Sequence, residues 1–351
     1  MSLKDINLPI AIFSLLLLSI GIIVLLSSST ELAIQQIIAA ILGFAIFLLL
    51  SHSDYRALSH IVYPAYFVTL ILLVIVFIFG IETRGAIRWI PLGFFNIQPS
   101  ELAKPVLILL LADFWSKKLP NWKNIFISLG IIFPAVILIF KQPDLGTTVT
   151  ILGIFLGILL TTRISWRKIV LLSLIVVVSL PIVWLGLQDY QRQRVVNFFS
   201  PNSDPLGTGY NIIQSTIAVG SGQIFGRGLG SGTQSRLQFL PEFRTDFIFA
   251  SISEELGLLG AMVILSIYGC LIFYLLKLSR ETSNSFGYII IYGVVTMILF
   301  QCFVNIGMNV GILPITGITL PLVSYGGSSL IATLSCLGLV ASVANMNRKL
   351  T

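Results

Sequence analysis

The sequence predicts an all-α polytopic membrane protein of about ten transmembrane helices, arranged as a single integral membrane domain over residues 1–351. Hydrophobic residues make up 56% of the chain and charged residues only 10%, whereas a soluble domain carries about 25% charged residues. Several apolar runs approach the ~20 residues that a helix needs to span the hydrocarbon core. No pattern of alternating polarity is present, which favours a helical bundle over a β-barrel.

Ten apolar runs define the predicted helices, and a long loop at residues 188–245 separates the seventh from the eighth. The runs cover residues 8–28, 33–51, 61–80, 99–115, 124–140, 145–162, 167–187, 247–275, 286–312 and 324–345. The first ends without a clear cleavage site, so we expect it to remain as a helix. The fourth begins with Pro99 and has Glu101 in its first turn, both typical of helix starts. Asp144 precedes the sixth as a helix cap.

Basic residues are distributed unevenly over the predicted connections. Twelve lie on the side of the N-terminus, against three in the short loops of the other side (Arg84, Arg88 and Lys141). Because basic residues are enriched in cytoplasmic loops, both termini are predicted to be cytoplasmic and the loop 188–245 extracytoplasmic. Orientation and anionic membrane lipids explain the net charge of +7, so no nucleic-acid partner is predicted.

The charged residues near the outer face need another explanation. Arg84 and Arg88 are four residues apart beside Trp89, which predicts an interfacial turn that holds two cations near lipid headgroups. Glu101 and Lys104 are three residues apart, so they share a helix face and are expected to pair. A structural ion pair and a role in substrate binding are compatible, and both interpretations stay open.

The loop 188–245 contains recognisable parts of its own. Ile213 and Ile217 stand at helical spacing among polar residues, which predicts a short surface helix over Tyr210–Val219. Residues 220–232 include six glycines but lack the Gly-Lys-Ser/Thr ending of a phosphate-binding loop, so a flexible or re-entrant loop is predicted. Arginines follow on the approach to the eighth helix, at Arg227, Arg236 and Arg244.

Asp246 stands where this loop enters the eighth apolar run. A carboxylate at a membrane span is costly to place and usually marks a reaction site or an ion path. Glu254 is eight residues further along, so we expect it to share a helix face with Asp246. A structural partner on another element is the favoured role for Glu254.

The segment between the ninth and tenth runs contains Pro314 and Pro321, which predict broken helix ends. Non-helical backbone in a membrane is tolerated only inside protein or along a polar cavity, so a cavity is expected here. Gln301, Asn305 and Asn309 recur every four residues. The ninth helix therefore turns a polar face either toward that cavity or toward hydrogen bonds with other helices.

Four segments resemble those of the SEDS family, integral membrane glycosyltransferases that polymerise peptidoglycan from lipid II. They are residues 98–104, 142–147, 241–249 and 324–329, and the resemblance covers nearly the whole chain. One difference is Arg244, which stands where many members have His. The short termini and Gly232-Thr233-Gln234-Ser235 are most similar to members that act in cell elongation and shape, with a septal polymerase as the alternative.

The resemblance implies a ten-helix SEDS-type bundle with its active cleft on the outer face of a bacterial cytoplasmic (inner) membrane. The implied substrate is lipid II, a disaccharide-peptide on undecaprenyl pyrophosphate. Sugar transfer inverts the anomeric centre and releases the lipid pyrophosphate. A class B penicillin-binding protein transpeptidase and other elongation-complex proteins are the implied partners.

Asp246 is the best-placed carboxylate to act as the catalytic base for this transfer. A helix start and a neighbouring arginine would both stabilise its ionised form, and whether a divalent cation (Mg²⁺ or Mn²⁺) acts beside it stays open. The residues expected to bind substrate are Arg84, Arg88, Glu101, Lys104, Lys141, Asp144, Arg227, Arg236, Glu242, Arg244 and Ser324.

Two functions of other classes compete with glycosyl transfer. The chain would be a lipid II flippase if the polar cavity moved the headgroup without reacting it. It would be a scaffold of a wall-building complex if the outer loop served only as a docking surface. Neither explains why an acid and several cations gather at one face, and no pair of matching halves typical of transporters is visible.

Overall fold

The computed structural model describes residues 7–83, 86–91, 96–200, 205, 209–237 and 239–350. These residues form thirteen helices and one small sheet. The helices are α1 (Leu8–Ser28), α2 (Thr30–His52), α3 (Leu58–Phe79), α4 (Pro99–Lys117), α5 (Trp122–Lys141), α6 (Leu145–Thr161), α7 (Trp166–Gly186), α8 (Asp189–Phe199), α9 (Tyr210–Ser221), α10 (Thr233–Arg236), α11 (Ile248–Arg280), α12 (Ser285–Asn309) and α13 (Gly327–Leu350).

A long helix occupies each of the ten predicted spans. Among the described residues, seven of these helices are long and apolar enough to cross a membrane: α1, α2, α3, α5, α11, α12 and α13. Of the others, α6 is an apolar helix of 17 residues. The chain is therefore a polytopic membrane protein, as the composition predicts.

The centre of the bundle is formed by α12 and α13. The most apolar stretch of α13 is 89% buried and that of α12 is 67% buried, against 22% for α3 at the periphery. Around them, α4 buries most of its length, including the charged side chains of Glu101, Lys104 and Asp113. Charges inside a membrane bundle need partners, so Glu101 and Lys104 near the start of α4 and Asp113 near its end mark polar contacts toward both ends of this helix.

The segment after α3 was predicted to be an interfacial turn, but in the structure most of it is a small sheet. It forms three antiparallel strands in the order β1 (Ile81–Thr83), β2 (Ala86–Pro91) and β3 (Asn96–Ile97). Trp89 and Ile90 in β2 are residue types that suit strands. Arg88 lies in β2, whereas Arg84 is outside the described residues.

Helix α11 is interrupted at Gly257, whose φ of 69° and ψ of −166° are not helical. The glycine-rich segment 222–228 packs into this break. Its carbonyls at Gln223 and Ile224 accept hydrogen bonds from the backbone N–H groups of Leu258 (2.8 Å) and Leu259 (3.1 Å). A side-chain carbon on Gly226 would lie 2.2 Å from the Glu255 carbonyl oxygen, so the close approach requires glycine. The predicted loop is thus a packed structural insert.

Candidate functional site

A cavity of about 240 Å³, here called the polar cavity, opens where the N-terminal ends of α4 and α6 approach β2 and the turn before α11. Six of the twelve predicted site residues line it. They are Arg88, Glu101, Lys104, Asp144, Glu242 and Asp246. Their separation in the sequence shows that the fold, and not a single motif, assembles this charged surface.

Asp246 lies in the turn that precedes α11, which begins at Ile248. The expectation that Asp246 and Glu254 share a helix face was therefore wrong, because Asp246 is not in the helix. Its backbone oxygen accepts hydrogen bonds from the Nδ2 groups of Asn305 (2.9 Å) and Asn309 (3.0 Å). These bonds fix the backbone from which the Asp246 carboxylate reaches the cavity.

Gly317 lies against the Asp246 side chain. A side-chain carbon on Gly317 would be 3.5 Å from Asp246 Oδ2 and 4.0 Å from Arg194 Nη1. Gly317 also has a φ of 73°, a conformation that residues with side chains rarely adopt. The backbone here leaves room for a carboxylate and a guanidinium at the same wall of the cavity.

Glu101 and Lys104 form the predicted ion pair, with Lys104 Nζ 2.7 Å from Glu101 Oε2. The two side chains are 9% and 2% exposed, so the pair is buried at the cavity wall. Gln301 also lines the cavity, and its Oε1 atom is buried without a hydrogen-bond partner among the described residues. Gln301 thus brings a buried acceptor without a partner among the described residues to the cavity wall.

Asp144 caps α6 as predicted, with Oδ1 accepting a hydrogen bond from the Thr147 N–H (3.1 Å). Its Oδ2 accepts from Gln98 Nε2 and Ser100 Oγ, both at 2.9 Å. Arg88 Nη1 lies 3.7 Å from the same carboxylate. Asp144 therefore joins the starts of α4 and α6 to β2, and its role in shaping the cavity is structural.

Arg244 does not belong to the cavity lining. Its Nε donates to Ser28 Oγ and its Nη2 to the Ser28 carbonyl, both at 3.1 Å. The guanidinium carbon also lies 4.5 Å from the centre of the Phe243 ring. These contacts tie the turn before α11 to the end of α1.

Ser324 also does not line the polar cavity. Its hydroxyl donates to the Thr245 carbonyl (2.7 Å) and accepts from the Leu320 N–H (2.8 Å). Lys141 and Arg227 are exposed and do not line the cavity. Arg84 and the side chain of Arg236 lie outside the described part of the structure.

Glu254 has the structural partner that the sequence favoured. Its Oε1 accepts hydrogen bonds from the Gln234 N–H (2.9 Å) and Thr233 Oγ1 (3.1 Å). The carboxylate of Glu254 therefore holds α10 and the end of the glycine-rich segment against α11.

Arg194 is a charged cavity residue that the sequence analysis did not predict. It lies in α8, within the loop whose first third carried no structural prediction. Gln188 and Gln191 form a capping box at the start of α8, but Gln is not the usual N-cap residue of this motif, so little in the sequence indicated the helix. The position of Arg194 at the same cavity wall as Asp246 depends on tertiary packing, which spacing alone does not reveal.

Metal-binding capacity in the described part of the chain is limited. No group of three or more His, Cys, Asp or Glu side chains there is arranged to hold a metal ion. Glu242 and Asp246 are the two carboxylates of the cavity that come from one turn.

Comparisons with known proteins agree with this architecture. The family model of the cell cycle proteins FtsW, RodA and SpoVE matches residues 7–349. The peptidoglycan glycosyltransferase MrdB of Escherichia coli K12 is 45% identical over 289 residues, which cover 82% of this chain and 78% of MrdB.

Two solved structures have the same fold over nearly their whole length. One is a chain from a peptidoglycan synthase complex that coordinates polymerisation and crosslinking, with 34% identity, a TM-score of 0.83, and coverage of 97% of this chain and 98% of that one. The other is the rod shape determining protein RodA of Thermus thermophilus, with 29% identity, a TM-score of 0.73, and coverage of 97% and 96%. The chain belongs to the FtsW/RodA/SpoVE family of cell cycle proteins, also called the SEDS family.

Proposed function

We propose that this protein polymerises lipid II at the polar cavity and that Asp246 is the general base. The protein is a peptidoglycan glycosyltransferase, in agreement with its 45% identity to MrdB over most of the chain. The observation that carries the assignment of the site is the convergence of Asp246 and Arg194 on the same wall of one cavity. A base and a cation are the two groups that glycosyl transfer from a pyrophosphate requires.

In the proposed reaction, the 4-hydroxyl oxygen of the acceptor sugar attacks the anomeric carbon of the donor sugar. The Asp246 carboxylate accepts the hydroxyl proton as the new carbon–oxygen bond forms. The bond from the anomeric carbon to the pyrophosphate oxygen breaks, and its electron pair leaves with the pyrophosphate. Attack from the face opposite the leaving group inverts the anomeric centre.

Arg194 is the proposed contact for the departing pyrophosphate. Its Nη1 and Asp246 Oδ2 lie within 4.0 Å and 3.5 Å of one point beside Gly317, so both face the same small volume. Arg88 is oriented by Asp144 and by the Gln142 carbonyl, which accepts from its Nε at 3.2 Å. Arg88 and the buried Lys104 also line the cavity, and each of them faces a carboxylate, Asp144 and Glu101 respectively.

The cavity volume of about 240 Å³ limits what can enter. Pockets for drug-sized ligands usually have about 300–1,000 Å³, so we expect only the reacting end of the lipid-linked sugar to enter. The Gln301 Oε1 atom, which lacks a partner among the described residues, would accept a hydrogen bond from a sugar hydroxyl or amide.

Glu242 and Asp246 would hold a divalent cation if substrate phosphates completed its coordination. Mg²⁺ is commonly bound by one or two carboxylates together with phosphate oxygens and water, and these two side chains fit that donor set. Such an ion would supply positive charge for the leaving pyrophosphate. Arg194 supplies positive charge at the same place, and no step above depends on the metal.

We further propose that the protein works in cell elongation with a class B penicillin-binding protein. This is supported by its likeness to a chain of a synthase complex that polymerises and crosslinks peptidoglycan. The proposed location is the bacterial cytoplasmic membrane, with both termini inside and the polar cavity open to the outside. The distribution of basic residues supports this orientation.

The test is polymerisation of labelled lipid II by the purified full-length protein in detergent, without any other polymerase. Wild-type protein should form glycan polymer, and Asp246→Asn should form none while remaining folded, because an amide is a far poorer proton acceptor. The matched control is Asp189→Asn, which removes a carboxylate that is 93% exposed on α8. It should retain wild-type activity.

Three outcomes would change the assignment. Near-normal polymer from folded Asp246→Asn would remove this residue from the chemistry. Transfer of lipid II across vesicle membranes without polymer would indicate a flippase. If the wild-type protein neither forms polymer nor transfers lipid II, and polymer appears only when a partner enzyme is added, the protein would be a scaffold.

A further inference from the structure

A second cavity, here called the basic pocket, lies at the opposite end of the bundle from the polar cavity. It has a volume of about 1160 Å³ and lies between the C-terminal ends of α4 and α6 and the N-terminal half of α12. The two cavities share no lining residue. Along α4 the nearest lining residues of the two cavities, Lys104 and Trp115, are eleven residues or about 16 Å apart, so the basic pocket is not part of the proposed reaction site.

The charge of the basic pocket has one sign. Its lining includes Lys117, Lys118 and Arg163 and no Asp or Glu. Lys117 is paired with Asp113, which is buried on α4 outside the pocket lining. Glu281 precedes a lining residue but is exposed and does not line the pocket. Lys118 and Arg163 therefore give the pocket a net positive charge.

A buried donor in this pocket lacks an acceptor. Trp115 lines the pocket and is 4% exposed, and its indole Nε1–H has no hydrogen-bond partner among the described residues. Buried N–H groups are almost always hydrogen-bonded, because leaving one unpaired loses the energy of its hydration. A ligand oxygen in the pocket would satisfy this group.

One wall of the basic pocket is apolar and faces outward from the bundle. Leu160 on α6 and Leu299 on α12 line it and are 58% and 47% exposed. Tyr288 and Tyr292 also line it, with ring centres 4.7 Å apart. Aromatic residues of this kind are enriched at the membrane–water interface. The pocket thus joins a cationic end to a wall that hydrocarbon chains can contact.

We propose that the basic pocket binds an anionic glycerophospholipid from the leaflet on the side of the chain termini. Lys118 and Arg163 would bind the phosphate, the Trp115 N–H would donate to a phosphate or ester oxygen, and the acyl chains would lie along Leu160 and Leu299. Basic pockets between transmembrane helices are known to bind anionic headgroups. A water-soluble anion would leave the apolar wall unused, and the ammonium of a zwitterionic lipid would find no carboxylate in the lining.

The experiment is native mass spectrometry of the full-length protein released from bilayers of equal parts phosphatidylglycerol and phosphatidylcholine. Wild-type protein should retain one phosphatidylglycerol. Lys118→Gln combined with Arg163→Gln should weaken retention about thirtyfold, since each basic residue contributes roughly a fivefold factor near an anionic lipid. The matched control is Lys277→Gln with Arg280→Gln, two exposed cations at the same end of the bundle outside the pocket. It should retain the lipid.

Trp115→Phe gives a second test that leaves the charge unchanged. It removes the N–H donor and keeps an aromatic ring, so phosphatidylglycerol should be retained severalfold less well. Melting temperatures should confirm that all variants are folded. Equal retention of both lipids by the wild type, or equal loss in the control pair, would overturn the proposal. Displacement of phosphatidylglycerol by an equimolar polyprenyl phosphate would also overturn it and assign the pocket to that lipid.

Discussion

At the scale of single residues, Asp246 combines a carboxylate that lines the polar cavity with a backbone carbonyl held by two buried amides. A catalytic group must be held within a fraction of an ångström of its working position. These hydrogen bonds act on the main chain and set where the carboxylate lies in the cavity. Asp246 lies in the turn before α11, but the amides that hold its backbone belong to α12.

Arg194→Ala should lower kcat for lipid II polymerisation by about 100-fold, because loss of one preorganised charge in a closed site costs roughly 3 kcal/mol. Arg194→Lys should recover only part of the rate, since an ammonium lacks the planar guanidinium geometry. The measurement is initial rate over a range of lipid II concentrations. Arg192→Ala is the control, because Arg192 lies on the same helix and donates to the Trp184 and Leu185 carbonyls. Equal rates for the two variants would exclude the assigned role of Arg194.

Glu101 and Lys104 are predicted to be energetically coupled, because removing either residue would leave the other as a buried charge without its ion-pair partner. Glu101→Lys and Lys104→Glu should each lower the free energy of unfolding by roughly 3–5 kcal/mol. Each change should therefore also reduce the yield of folded protein. The double reversal should recover a large part of that loss, which a thermal-stability comparison of the three proteins would measure. Purely additive losses would show that the pair is not coupled. A double reversal that folds but remains inactive would indicate that the orientation of the pair also matters for substrate.

At the scale of elements, α12 connects the bundle core to the catalytic turn through a line of amides. Asn309 accepts a hydrogen bond at Oδ1 from the Ala250 N–H (2.9 Å) near the start of α11 and donates to the Asp246 carbonyl. Gln301, two turns earlier, faces the cavity. The polar face of α12 therefore serves both predicted purposes: Gln301 lines the cavity, whereas Asn309 makes hydrogen bonds with another part of the bundle.

Asn309→Ala should destabilise the protein by about 1–3 kcal/mol, because it leaves the buried Ala250 N–H without its Asn309 acceptor and removes one of the two amides that donate to the Asp246 carbonyl. It should also reduce polymerisation by more than the loss of folded protein explains, because only the Asn305 amide then holds the Asp246 backbone. Asn345→Ala is the matched control, since that amide donates to the Ser51 carbonyl (3.0 Å) at the opposite end of the bundle. Thermal stability and activity per folded molecule should be measured for both. Equal specific activities would show that Asn309 contributes only to folding.

The long helices were predictable from sequence, whereas the short elements were not. Apolar runs near the length of a membrane span locate α1, α5 or α12 without reference to their neighbours. The strands β1–β3 have only two to six residues, and α8 is a polar helix whose position depends on tertiary contacts. Periodicity over such short or polar segments carries little information.

The same distinction applies to the site. Glu101 and Lys104 were predictable because their spacing places them on one helix face, and the structure pairs them. Arg244 is two residues from Asp246, but the turn between them directs its guanidinium to Ser28. Closeness in sequence does not determine orientation in a turn. Arg194 lies 52 residues before Asp246 (246 − 194) and reaches the same wall through the fold.

At the scale of the whole molecule, the two cavities lie at opposite ends of one helical bundle. In the proposed orientation, chemistry occurs at the outer end and lipid binding at the inner end. Asp189→Cys, in a protein whose three native cysteines are replaced by Ala, should react with a membrane-impermeant maleimide on intact cells. Arg280→Cys should react only after the cells are permeabilised. The reverse labelling pattern would contradict the orientation and place the polar cavity in the cytoplasm.

The break in α11 has a consequence for the order of synthesis. The carbonyls of Gln223 and Ile224 accept the N–H groups of Leu258 and Leu259, which the missing helical turn leaves without internal partners. Those acceptors leave the ribosome more than thirty residues before the donors, as the numbering shows (258 − 223 = 35). Unpaired backbone groups are costly in hydrocarbon. When α11 reaches the membrane, the segment that completes its hydrogen bonding has already been made.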